Sequence, residues 1–246
     1  MYDPLASQKG ARQEVRFLLK LIVVLILGYW ILVYPFTDDF DVSQAQCREL
    51  GEFWKSDVQS DFRFSDTWDF QKFACPSRES SFLRALHFIA KMKDTMHGRA
   101  AGKTYYAWAK QLSPQFDRQI LFGLAGKTLF DARRIEISHI VLDQHNWVKT
   151  AGVIIHELRH LEQRKNTHVP CRSDPAKTCD ARLQKDISTG GAYNYNIMFF
   201  HQVRTSEHTS RYEKRLAKKE MQTLIDTRFN VVNPEQYEFF QLEDRR

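Results

Sequence analysis

Residues 134–163 read RIEISHIVLDQHNWVKTAGVIIHELRHLEQ, and this run decides the architecture of the chain. Its first nine residues, 134–142, alternate and are rich in β-branched side chains, which predicts a strand. Residues 143–146 supply turn and helix-cap chemistry. From Trp147 onward the apolar residues Trp147, Ala151, Ile154, Ile155, Leu158 and Leu161 recur at helical spacing. At about 100° per residue, His156 and His160 fall roughly opposite the centre of that stripe. One face of the helix is therefore expected to pack on the core while the other looks into a cleft.

The histidines bracket a chemical pattern. His156-Glu157-Leu158-Arg159-His160 sets two imidazoles four residues apart, with a carboxylate directly after the first. On a helix both imidazoles reach one point, where they can hold a metal ion, and the carboxylate can reach a water bound to that ion. This is the H-E-x-x-H arrangement of zinc metallopeptidases. It makes His156 and His160 metal ligands, zinc the cofactor and Glu157 the catalytic base. The competing reading, two His and a Glu merely solvated on the polar face of an amphipathic helix, loses ground to the strand and helix that frame the motif.

A catalytic zinc normally takes three protein ligands and a water, so the pair is incomplete. The metzincin continuation would need Gly at 163 and His at 166, where this chain has Gln163 and Asn166. A Glu on a following helix is a second known solution, but none occurs after Glu162 until Glu207. The next histidine downstream is His168, with Asp174, Asp180 and His201 as alternatives. The segment HELRHLEQRKNTHVPC, followed by CDARL and GGAY, resembles a group of poorly characterised bacterial exported proteins. These share an H-E-[A/L]-R-H helix, a His-x-Pro-Cys, a Cys-Asp and a Gly-Ala-Tyr. The resemblance spans residues 154–193. It implies a zincin-like hydrolase fold with His168 as third metal ligand, and it implies no substrate. Tyr193, Tyr195, Arg159 and His201 are candidates, by type alone, for steadying an oxyanion.

The rest of the chain sets the compartment. Residues 17–36 read FLLKLIVVLILGYWILVYPF, long enough to cross a bilayer as a helix. Lys9, Arg12, Arg16 and Lys20 crowd its N-terminal side, and Asp38, Asp39 and Asp41 follow it. The positive-inside rule then leaves residues 1–16 in the cytoplasm, makes 17–36 an uncleaved signal anchor and puts 37–246 in the periplasm or outside the cell. An even count of 4 cysteines suits an exported domain with disulfides. Cys47 with Cys75 and Cys171 with Cys179 is the pairing with the shortest loops. The net charge of +6 comes from dispersed bases without a nucleic-acid motif, which argues against that class of partner.

The remaining elements follow from periodicity and breakers. Helices are expected over 80–96, 105–112, 113–124, 147 onward, 186–205 and 206–229, and strands over 127–131 and 134–142. Aromatics between 41 and 76 are expected to pack against the catalytic body. The expected fold is α+β: a transmembrane helix, then a mainly helical zincin-like domain with a small sheet. The expected function is that of a membrane-anchored zinc metallohydrolase, a peptidase acting on protein or peptide substrates. The alternative is a non-catalytic binding or scaffold protein with a structural or vestigial metal site.

Overall fold

The computed structural model describes residues 42–93, 96, 102–164, 168–183 and 190–233. The expected anchor over 17–36, His97 and the start of the helix expected from 186 lie outside the described residues. Among the described residues no helix is long and apolar enough to cross a membrane.

Helix α1 (Gln44–Phe53) starts at a capping box between Ser43 and Gln46 and runs on through a π turn (Trp54–Val58) and a last turn (Gln59–Asp61). The short strand β1 (Arg63–Phe64) follows, then α2 (Arg78–Lys91), capped by Ser77 and Ser80, and α3 (Tyr105–Leu112), capped by Thr104. Strands β2 (Gln115–Gln119), β3 (Gly126–Leu129) and β4 (Arg134–Ser138) come next. A single helical turn, α4 (His139–Asp143), leads into the long helix α5 (Trp147–Gln163). A two-stranded hairpin, β5 (Val169–Pro170) with β6 (Thr178–Cys179), precedes α6 (Ala192–Thr205) and α7 (Arg211–Thr227).

The architecture is α+β, a mainly helical body with a small sheet. The four-stranded sheet has the order β1-β2-β4-β3; β1, β2 and β4 run parallel, and β3 is an antiparallel edge strand. Phe116, Ile135 and Ile137 present one face of the sheet to the helices and are fully buried. Each such side chain stabilises by roughly 1.5–3 kcal/mol relative to exposure. The early aromatics pack as expected: Trp54, Phe64, Trp68 and Phe70 gather with Phe82 and Phe116, with Phe82 and Phe116 5.0 Å apart and Trp68 and Phe82 4.6 Å apart. Both disulfides form as expected, Cys47 to Cys75 and Cys171 to Cys179.

Three expectations are corrected. Residues 113–124 are not a helix. Ser113 adopts a left-handed backbone (φ 46°) that closes α3, and 115–119 become β2, the strand between β1 and β4. There Phe116 enters the core, while Asp117 is buried and accepts hydrogen bonds from Ser65, Thr67 and Gln119. The strand expected over 134–142 ends at Ser138. Beyond it the adjacent pair Val141 and Leu142 are both buried, which a strand with alternating faces does not allow but one helical turn does. The third correction concerns α5: its histidine face is not open, since every residue from Thr150 to Leu161 is buried. Helix α6 covers one side so closely that a Cβ at Gly152 would lie 2.4 Å from the Phe200 ring.

Candidate metal centre

Helix α5 begins where Asn146 accepts a hydrogen bond from the Lys149 amide, and it delivers His156 and His160 one turn apart. His168 arrives from the segment entering the β5–β6 hairpin. The three Nε2 atoms form a near-regular triangle, with His156 to His168 3.0 Å, His156 to His160 3.2 Å and His160 to His168 2.9 Å. Together they form a cluster able to hold a metal ion.

The donor set fits a divalent cation on its own chemistry. Nitrogens bound tetrahedrally to one zinc at about 2.0–2.1 Å stand roughly 3.3–3.4 Å apart, a little wider than the sides found here. His168 places its Nδ1 3.1 Å from Asp180 Oδ1, and an Nδ1–H donating to that carboxylate leaves the Nε2 lone pair turned toward the other two rings. Burial, reinforced by His160, His168 and Arg228, holds the His156 imidazole well below its ordinary pKa, which keeps it neutral and a donor of electrons. With an Nε2 lone pair on each ring, a cation among the three would offset their mutual repulsion.

The supports of His168 lie in sequence regions that are remote from the motif. Asp180 follows Cys179, so the disulfide from Cys171 to Cys179 closes the loop that joins the third histidine to its carboxylate partner. The second oxygen of Asp180 accepts from the backbone N and the side-chain Nδ2 of Asn194, each at 3.1 Å. Gly191, the N-cap residue of α6, has no side chain to cap that helix, and Asp180 caps it from outside. The approach demands glycine: a Cβ at 191 would lie 2.4 Å from Asp180 Oδ1. Arg159, 1% exposed, donates from Nη2 to the Gly190 carbonyl at 2.9 Å, pairs with Glu162 and lies 4.1 Å over the Tyr195 ring. It thereby fixes the glycine turn against α5.

Glu157 sits beneath the edge strand. Thr128 of β3 donates to its Oε2 at 2.7 Å, and a Cβ at Gly126 would meet its side chain at 3.0 Å. Burial pushes the Glu157 carboxyl up to about 7, and the Thr128 hydrogen bond works against that rise. Such a group can accept and return a proton near neutrality.

The other sequence candidates separate by position. Tyr193 packs its ring 4.6 Å from both the His156 and the His168 rings, with its hydroxyl 3.4 Å from Thr178 Oγ1. Tyr195 and Arg159 stack on each other behind the centre and serve the scaffold. Asp174 is bonded to Ala176 and Lys177 within the hairpin turn, and His201 is buried on α6; neither belongs to the cluster. Asp180, considered as a ligand, pairs with His168 Nδ1 instead. Thr128 carried no signal in the sequence, because nothing there tells which strand residue crosses over Glu157. The chain matches no family model, no curated protein and no solved structure, so the reading of this centre rests on its own geometry.

Proposed function

We propose that the chain is a membrane-tethered, zinc-dependent metallohydrolase that cleaves peptide bonds, with a zincin-like catalytic domain held outside the cytoplasm by residues 17–36. The observation that carries this reading is the convergence of three imidazole Nε2 atoms within 3.2 Å of one another, beside a glutamate on the same helix. A zinc ion bound there supplies a Lewis acid and lowers the pKa of its bound water toward about 7. His156, His160 and His168 hold the metal, and Asp180 fixes the orientation of His168. Glu157 takes a proton from the attacking water and returns it to the leaving amine. Thr128 keeps the carboxylate aimed and favours its ionised form. Tyr193, packed on two of the three rings, is the side chain nearest to hand for steadying the developing oxyanion.

A peptide substrate has a natural seat. Strand β3 stands at the end of the sheet, with no strand on its outer side among the described residues, and Gly126 and Thr128 lie directly over Glu157. An extended chain adding to that edge would run past the base. The test is Glu157→Gln in the full chain loaded with zinc. Hydrolysis of a fluorogenic peptide library should fall by about 10²- to 10⁴-fold while one zinc per chain is retained. Unchanged hydrolysis, or no hydrolysis by the wild-type chain, contradicts a catalytic role and favours a binding protein with a structural metal.

A further inference from the structure

The large hydrophobic side chains that stand exposed among the described residues are Ile120 (64%), Phe122 (89%), Leu124 (52%) and Ile140 (54%). They are not scattered. Three lie in the loop between β2 and β3, and the fourth lies on α4, just past the end of β4. Strands β2 and β4 are parallel neighbours in register, Gln119 against Ser138, so Ile120 and Ile140 leave the same end of the sheet. Ser138 ties the loop down at two points: its Oγ donates to the Leu121 carbonyl at 3.5 Å and its amide to the Ala125 carbonyl at 3.0 Å. Gly123 turns the tip with φ 73°, and a Cβ there would meet nothing within 4 Å. The result is an anchored loop with its apolar residues facing outward. Exposed apolar side chains grouped at one end of a sheet in this way point to an interaction site.

We propose that this loop, with Ile140, inserts into the surface of the lipid bilayer to which the chain is tethered. The sequence places the bilayer within reach, because only residues 37–41 separate the apolar run ending at Phe36 from Val42, where the described domain begins. Five extended residues span about 17–18 Å at most. Lys127, exposed directly after the loop, supplies a cation at the rim suited to anionic headgroups. Docking would hold β3 and Glu157 against the membrane, so that the substrates within reach are chain segments lying on the same bilayer. The docking rests on the tether proposed above, and this consequence rests on the proposed catalytic role as well.

The test uses the full chain in mixed phosphatidylethanolamine–phosphatidylglycerol vesicles, with a nitroxide on Phe122→Cys and, separately, on Lys218→Cys of the exposed face of α7. Phe122 is 89% exposed, so the exchange leaves the packed core intact. Insertion predicts that oxygen relaxes the label at 122 strongly while a water-soluble nickel chelate does not, with the reverse at 218. Equal access of the chelate to both labels overturns the proposal. So does shielding at 122 that appears only on addition of a peptide, which would make the patch a substrate surface, or spin–spin broadening that reveals a second copy on it. Alkaline washing of the same vesicles reads the tether independently. A chain that stays but shows a water-exposed label keeps its anchor and loses the docking loop; a chain that washes away loses both. Zinc content, measured on the same samples, reports on the metal centre whichever way the labels read.

Discussion

Asp180 joins two tasks that a sequence keeps apart: it accepts from His168 Nδ1 and it caps α6 through the Asn194 amide. Asp180→Asn preserves the shape but no longer offers a carboxylate to His168, and zinc affinity, measured by chelator competition, should fall by about 10- to 100-fold. An affinity equal to that of the wild type would separate Asp180 from the centre. Thr128 provides a prediction with a definite sign. Its hydrogen bond lowers a Glu157 carboxyl that burial has raised to about 7. Thr128→Val removes the lowering contribution, so the Glu157 pKa rises further, and the acid limb of the kcat/KM profile moves to higher pH. A limb that stays in place, or moves to lower pH, contradicts Glu157 as the base. At this scale the sequence was informative where spacing within one helix fixes geometry. His156, Glu157 and His160 were legible because four residues make one helical turn. His168 was one of four downstream candidates that only the resemblance singled out, and the roles of Thr128 and Gly191 were not legible, because they depend on close approaches between segments far apart in the chain.

Among the elements, the two disulfides differ in what they hold. Cys47 to Cys75 spans a sequence separation of 28 across the aromatic lead-in, and Cys171 to Cys179 closes the short hairpin between His168 and Asp180. Replacing both cysteines of the first pair by serine should lower unfolding stability by about 3–4 kcal/mol in denaturant titrations and leave zinc affinity within a few-fold. The same exchange in the second pair should cost less stability, about 2–3 kcal/mol, yet weaken zinc binding by at least 10-fold. Equal effects of the two exchanges on zinc affinity would remove the hairpin from the account. The elements also show where periodicity succeeds and fails. Helices α3 and α5 were legible because Thr104 and Asn146 cap runs with a clear apolar face. Strand β2 was misread as helix because Ser113-Pro114 resembles a helix start, whereas the left-handed Ser113 ends one. Pairing on both sides then makes 115–119 a strand, a tertiary effect that five residues do not announce.

For the whole molecule, the burial of α5 matters most. A helix with its imidazoles in open water would be half solvated; here β3, α6 and the β5–β6 hairpin enclose it, and His156, Glu157 and His160 are 9%, 5% and 6% exposed. Such an enclosure shields Glu157 from bulk water and would offer a metal ion a preorganised site. Binding of a metal there would couple to folding, since a cation among the three buried imidazoles favours the arrangement that brings them together. The central claim is that these three nitrogens, and no sulfur or carboxylate, bind the ion. Zinc K-edge X-ray absorption on the full chain, stripped and reloaded to one equivalent, tests it directly. The account predicts three imidazole nitrogens and one further light atom at about 2.0–2.1 Å, with one imidazole lost in His168→Ala. A shell containing sulfur, a shell unchanged in His168→Ala, or a failure to retain one zinc per chain would contradict it.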